Sequence, residues 1–409
     1  MNGTIKLVVP LVAALTIAAC NAGGSSSMPG TTGMNGQSPA IAGGGHPDWL
    51  TKHEAVPVCN DLRPARANCL ALLENQQGMN PNTIFGIQPP DIQKRYALPV
   101  TKGSGQIVGI VDAYDNPNIA TDLAAYRTQF GLGTATFNKY NQTGQQSNYP
   151  QGSTGWGLEE DLDVDMVSAA CPKCTIYLIE ANSNSTSDLQ TAEDEAVKLG
   201  AHIISNSWIC YGSSCGTSET HFDTKGVEFL AASGDNGYDQ NGPPEWFPSV
   251  TSVGGTVLTK AGSSYNEVVW NGAGGGCSSN GGSSGQTKPA WQKDPKCKYR
   301  TDADVSAVAY DVAEYDTYGY SGWITVGGTS AASPLNAGVF GLAGNASSLT
   351  AGKKFWTLKA KALKKDLNAI TKGSDGSCGG EYLCQAGTNQ FKTYSGPSGW
   401  GTPHGIGAY

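Results

Sequence analysis

Charge is scarce in this sequence: Asp, Glu, Lys and Arg together make up only 15 % of its 409 residues. No long basic run occurs and the formal net charge is −8. That combination argues against a nucleic-acid partner, which would demand a positive face. No internal repeat is found, which argues against a solenoid. No apolar run is long enough to span a bilayer comfortably. Histidine is represented five times only. Glycine, by contrast, is abundant at 55 residues, as in a loop-rich globular protein. The length is ample for a substantial core in one large or two smaller domains.

The amino-terminus carries a short basic start, Met1 to Lys6, followed by a compact apolar stretch, Leu7 to Ala19. This reads as an export signal over residues 1–19. It ends in Ile17-Ala18-Ala19-Cys20, which resembles the lipobox of bacterial lipoproteins. The resemblance implies cleavage before Cys20 and a lipid anchor on it, placing the chain at the cell envelope, with release outside the cell left open. An ordinary signal peptide with a nearby cysteine is the alternative. Residues 20–48, rich in Gly, Ser, Asn and Pro, read as a flexible tether. Residues 49–88 form a short segment with one helical-looking piece, Ala65 to Leu73, and residues 89–409 form the main domain.

Ten cysteines follow Cys20. An even number in an exported chain favours disulfides. They fall into local couples: Cys59 with Cys69, Cys171 with Cys174, Cys210 with Cys215, Cys277 with Cys297, and Cys378 with Cys384. Spacing alone does not prove the connectivity. Cys171-Pro172-Lys173-Cys174 also suits a redox couple or half a zinc site, but no second couple of metal-ligand spacing accompanies it.

From Gln106 the pattern alternates. Gln106 to Asp112 is an apolar run of buried-strand type, and Asn118 to Phe130 has helical periodicity. Thr175 to Ala181, Ser187 to Leu199 and Ala201 to Ser207 repeat strand, helix, strand. Val227 to Ser233 and Val250 to Val257 are further strands, and Ser330 to Ala343 is a buried helix of small residues. This predicts an α/β domain with a mostly parallel sheet and functional residues at the carboxyl ends of its strands.

Three segments can carry chemistry. In Gly327-Gly328-Thr329-Ser330-Ala331, Ser330 opens a helix, where the dipole favours developing negative charge. Its bland reading is an N-cap. In Trp156-Gly157-Leu158-Glu159-Glu160-Asp161-Leu162-Asp163-Val164-Asp165, Glu159 and Asp163 share a helix face. Two carboxyls held together resist double ionisation and can supply a base with an orienting partner. Asp161 and Asp165 have the same spacing, so the choice of pair stays open. Ser233-Gly234-Asp235-Asn236-Gly237, ending an apolar strand, is a turn or a way to aim a carboxyl at a site.

In combination these segments resemble the sedolisins, the serine-carboxyl peptidases, over residues 85 to 409. Gly86-Ile87-Gln88-Pro89-Pro90-Asp91-Ile92 and Tyr96-Ala97-Leu98-Pro99 add to the likeness. The resemblance implies a subtilisin-like three-layer α/β sandwich with a mostly parallel central sheet flanked by helices. It also implies an acid-active endopeptidase on polypeptide substrates, expected as a monomer. Ser330 takes the place of the nucleophile, Glu159 of its base, Asp163 of the orienter, and Asp235 of the protonated carboxyl that stabilises the oxyanion. Histidine usage agrees: His46, His53, His202, His221 and His404 lie in no catalytic motif, and His202 reads as a core residue. Asp112, where subtilisins carry their triad aspartate, is read as structural. A binding module that keeps the fold without turnover is the competing reading. A glycosidase ranks last, because carboxyls on one helix turn sit too close to straddle a sugar linkage.

Two features depart from the family. Its calcium site would use aspartates at the positions of Ala369 and Ser395, so no calcium or other cofactor is expected, and the Cys378–Cys384 couple braces the loop instead. Sedolisins also carry a long inhibitory prosegment, for which only the stretch up to about residue 88 is available.

Overall fold

The computed structural model describes residues 55–409 apart from 62, 75–82, 212–214, 240, 279–285, 349–350 and 388–390. The signal, the tether, Cys20, His46 and His53 lie outside the described residues. Among the described residues no helix is long and apolar enough to cross a membrane.

The central sheet has eight strands. Five consecutive strands run parallel, with β5 at the edge: β4 (Ile107–Ala113), β5 (Thr136–Asn141), β6 (Thr175–Ala181), β7 (Ile203–Asn206) and β9 (Glu228–Ala232). They stand in the order β9-β7-β4-β6-β5, and Val108 of β4 faces Ile176 on one side and Ile203 on the other. The long β10 (Val250–Ala261) runs parallel to β9 and to β14 (Val305–Tyr310), and its far end turns back antiparallel on β11 (Ser264–Val269). Both faces of β4, β6, β7 and β9 are covered, which is why these strands read as apolar runs, whereas the edge strand β5 is polar and only partly buried. Successive residues part company as strand geometry requires: Val108, Ile110, Ile176, Leu178, Ile203 and Leu230 join one core cluster. Val111, Ile179, Ile204 and Phe229 join the other, beneath α4 (Thr186–Lys198).

Helices α1 (Pro89–Arg95), α2 (Ile119–Gln129), α3 (Thr154–Ala170) and α5 (Thr329–Ala343) pack on the first face. The small residues of α5 let it lie directly against α3. A Cβ at Gly338 would stand 2.7 Å from Ala170 Cβ, so a larger side chain would force the helices apart.

A second sheet, antiparallel throughout, is ordered β1 (Val56–Pro57), β3 (Leu72–Leu73), β16 (Gly322–Gly327), β15 (Val312–Asp316). A short ribbon pairs β12 (Gly276–Cys277) with β13 (Thr301–Asp302), and β2 (Asn68–Cys69) pairs with β8 (Trp208–Ile209). This corrects the helical reading of Ala65 to Leu73. The segment is extended, and Ala65 itself has φ +54°. Its peptide groups find partners on β8 and β16, and such tertiary pairing overrides a modest helical propensity. All five cysteine couples form disulfides.

Candidate active site

Three strands of the central sheet and one helix start converge. β7 ends just before Ser207, β9 runs into Ser233-Gly234-Asp235, β4 ends at Asp112 and Ala113, and α5 opens at Thr329 and Ser330. The carboxyl ends of parallel strands are where α/β folds place their chemistry. From the side, α3 brings Glu159 and Asp163, both fully buried. Its start is fixed by Ser153, whose hydroxyl accepts from Trp156 N–H at 3.5 Å.

The structure decides between the two carboxylate pairs. Glu159 and Asp163 turn toward α5, where the Ser330 hydroxyl draws the Glu159 pKa down. Asp161 and Asp165 turn the other way, toward Asp122 of α2 and Asp316 of β15. Every residue of α3 from Trp156 to Ala170 is buried, so amphipathic spacing carried no information about which pair faces Ser330.

Ser207 ties the site together. Its hydroxyl donates to Asp163 Oδ1 at 2.6 Å, and its carbonyl accepts from Ser330 Oγ at 3.4 Å. Glu159 Oε1 has no hydrogen-bond partner in this state. Burial pushes the Glu159 carboxyl well above the usual range, and the neighbouring Asp112 adds to the rise. Asp163 is raised by burial, then by Asp112 and Glu159, while the Ser207 hydroxyl pulls it down. One proton shared by the two carboxyls is the state such surroundings favour.

Asp112, read as structural, ends β4 and acts electrostatically on this pair. It is fully buried, neither oxygen has a hydrogen-bond partner, and burial pushes it up to about 8. Its charge bears on Glu159, Glu160 and Asp163 alike. Sequence reasoning missed Ser207; its place at a strand's carboxyl end was the available signal.

Asp235 faces the start of α5. Its Oδ1 accepts from Thr329 N–H at 2.8 Å and from Thr329 Oγ at 2.8 Å, while Oδ2 is buried with no partner. Burial pushes the carboxyl up to about 7 against these two donors. A Cβ built on Gly328 would stand 2.9 Å from Asp235 Oδ2, so the free oxygen points at the space Gly328 leaves open. Gly328 has φ +115°, which L side chains rarely adopt. The remaining histidines stay away: His202 is exposed, which corrects its core reading, His221 pairs with Asp194 at 2.9 Å, and His404 is exposed.

The space is crossed by the chain itself. Asn68 and Cys69 pair antiparallel with Ile209 and Trp208, and Leu72 and Leu73 with Gly327 and Val326. Between them Leu70 N–H lies 3.1 Å from Ser207 O and 2.7 Å from Glu159 Oε2, and Ala71 N–H donates to Glu159 Oε2 at 2.6 Å. The Leu70 carbonyl oxygen lies 1.9 Å from the point a Gly328 Cβ would occupy, beside Asp235 Oδ2.

At the positions where the resemblance puts calcium ligands, Ala369 offers no side-chain donor. Ser395 Oγ donates to Gln385 O at 3.4 Å and accepts from Ser398 Oγ at 3.2 Å. Asp375, buried with both oxygens unpartnered, is the one carboxylate of the first stretch, Ala369 to Gly376. A single carboxylate falls short of the anionic set calcium prefers.

No family model matches the chain. It is 27 % identical to sedolisin of Pseudomonas sp. over 367 residues, 78 % of this chain. It is 25 % identical to the tripeptidyl-peptidase sed4 of Aspergillus fumigatus over 424 residues, 85 % of this chain and 69 % of that one. The match spans 60 % of the length of the Pseudomonas protein. Among solved structures, Pseudomonas sedolisin, a serine-carboxyl proteinase complexed with pseudo-iodotyrostatin, superposes with a TM-score of 0.67 at 24 % identity, covering 79 % of this chain and 96 % of that one. The fold is thus the subtilisin-like α/β fold, and the chain is similar in sequence to sedolisin and to a tripeptidyl-peptidase.

Proposed function

We propose that this chain is a serine-carboxyl endopeptidase. One observation carries the reading: a peptide segment lies across the meeting point of Ser330, Glu159 and Asp235 with its N–H groups on Glu159 and a carbonyl beside Asp235 Oδ2. Glu159 takes the Ser330 proton as Oγ attacks the scissile carbonyl carbon, and Asp163, held by Ser207, keeps Glu159 oriented. Asp235, protonated, donates to the oxyanion from Oδ2. Glu159 then returns its proton to the departing amine. Water completes hydrolysis by the same route.

Endopeptidase action fits a cleft that chain enters and leaves: Asn68 and Cys69 pair with β8 before the crossing, and Leu72 and Leu73 pair with β16 after it. An acid optimum fits the Asp235 carboxyl, which loses its donor proton near pH 7. Polypeptides are the substrates, and the chain acts as a monomer, exported and lipid-anchored through Cys20. Calcium has no step in this chemistry, and calcium addition is expected to leave the melting temperature unchanged; a rise of several degrees would contradict that. The deciding experiment digests a peptide library across pH with protein lacking residues 1–20, wild type against Ser330→Ala. The serine variant should lose at least about 10³-fold in kcat/KM. Equal activity of the two proteins would sink the proposal, and wild-type protein that binds peptides without cutting any would favour a binding module.

A further inference from the structure

Resting on the peptidase reading, we propose that Lys139 is a positioning residue for the Glu159–Asp163 pair: it anchors the loop that seats the start of α3, and it sets a positive charge beside the buried carboxyls behind the pair. Lys139 lies on the edge strand β5, with β6 between it and β4. Its side chain is only 12 % exposed. The ammonium donates to Asp115 Oδ1 and to Asn116 O, the latter at 3.0 Å, and pairs with Glu180 Oε1 at 3.0 Å. It also lies 4.2 Å from the centre of the Tyr149 ring.

The loop is the first route from Lys139 to the pair. Asp115 and Asn116, both gripped by Lys139, follow β4 and hold α3 by its first turns. Asp115 N–H donates to Gln151 O at 3.2 Å, and its carbonyl accepts from Ser153 N–H at 3.2 Å, at the residue that caps the helix. Asn116 N–H donates to Glu160 Oε2 at 3.1 Å. Its side-chain amide donates to Gly157 O at 3.1 Å and to Asp161 Oδ2 at 2.7 Å. These three positions flank Glu159, so the loop sets where the Glu159 carboxyl stands.

Charge is the second route. Glu180 of β6 stands in register with Asp112 of β4 and Asn141 of β5, and residues in register on parallel strands share a face. It is the face under α3, because Val108, Ile110, Ile176 and Leu178, of the same alternation, pack with Leu158 and Leu162. The charges around Glu159 are acidic: Asp112 from β4, Asp235 beyond β9, Glu314 from β15 and Asp163 of its own helix. Helix α5 contains no charged residue, and on the far side of α3 Asp122 and Arg127 of α2 bear on Asp165. Glu160 faces Glu180, Asp112 and Asp161, with Lys139 the cation that draws it down. The Lys139 charge therefore opposes protonation along the row Glu180, Glu160, Asp112 that ends at the pair. Two strand spacings separate β5 from β4, about 10 Å. A unit charge at that range, with an effective dielectric of about 20, moves a pKa by about one unit.

The test compares wild type, Lys139→Met, Lys139→Arg and Asp115→Asn, each lacking residues 1–20 and checked for folding by circular dichroism. It measures kcat and KM on an internally quenched peptide from pH 3 to 8. Wild-type kcat/KM should fall on the acid side as the pair takes up its second proton, and on the alkaline side as Asp235 loses its own. Lys139→Met should move the acid limb up by about one pH unit, through kcat with KM little changed, and leave the alkaline limb in place. Lys139→Arg should keep the wild-type limb. Asp115→Asn removes the carboxylate that competes for the Lys139 charge and should move the acid limb down. A loss in Lys139→Met that is uniform across pH, an acid limb that does not move, or an arginine variant that behaves like the methionine one overturns the inference and leaves the peptidase reading standing. Where Lys139→Met does not fold, the direction of the Asp115→Asn shift decides: upward or absent overturns the inference. Wild type that cleaves nothing at any pH overturns both.

Discussion

Replacing Gly328 by alanine separates the chemistry of this site from its stability. The added Cβ would meet the Leu70 carbonyl oxygen at 1.9 Å and Asp235 Oδ2 at 2.9 Å. Ordinary contact begins at 3.4 Å, so a substrate carbonyl in that position must retreat by 3.4 − 1.9 = 1.5 Å. A displacement near 1 Å is enough to cost on the order of 10²-fold in rate. Loss of an oxyanion donor costs about 10²–10³-fold in kcat, or roughly 3–4 kcal/mol. We therefore expect Gly328→Ala to lower kcat/KM by about 10²–10³-fold. The φ of +115° adds a separate cost to the fold of roughly 1–3 kcal/mol. The assay is cleavage of an internally quenched peptide with leucine before the cut at pH 5, with a thermal melt on the same sample. A folded variant retaining a third or more of wild-type kcat/KM would refute the placement of the carbonyl beside Gly328 and Asp235.

Asp235→Ala should lose about 10²–10³-fold at pH 5, while wild-type kcat/KM falls about tenfold per unit above pH 7 as the carboxyl deprotonates. A flat profile from pH 5 to 9 would exclude Asp235 as the proton-bearing donor. Burial raises Glu74 to about 9, Glu228 to about 8 and Asp235 to about 7. The folded state therefore holds protons that the unfolded chain releases near pH 4. The stability these groups contribute is complete below that pH and is lost as pH rises through 7 to 9, so the melting temperature should fall by several degrees between pH 5 and 9. A rise over that interval would contradict the assignment. Replacing Cys277 and Cys297 by serine opens a loop with a sequence separation of 20 and should destabilise the protein by about 3 kcal/mol by chemical denaturation. No change would mean the unfolded chain is not constrained by that bridge.

The alternation of strands and helices was legible from Gln106 onward because the inner parallel strands are apolar on both faces and the helices between them carry their own periodicity; the polar edge strand β5 was not legible. Thr175 to Ala181 is a strand with the expected bounds. Ser330 was legible as the opening of a buried helix of small residues. The carboxylate pair was legible as a spacing but not as a choice: α3 is covered on every side, so Glu159 and Asp161 look alike in sequence, and only the contacts of α2, α5 and β15 distinguish them. The segment around Leu70 was misread because its fate is decided by strand edges far away in sequence, at residues 208–209 and 326–327.

The strand edges of β8 and β16 hold an extended chain through backbone groups that every residue except proline possesses. Such a grip is blind to sequence. If the proposed peptidase activity holds, discrimination among polypeptides falls on the small apolar recess of Ile209, Ala232 and Tyr211, and reshaping those side chains should redirect which bonds are cut while leaving the capture of extended chain intact.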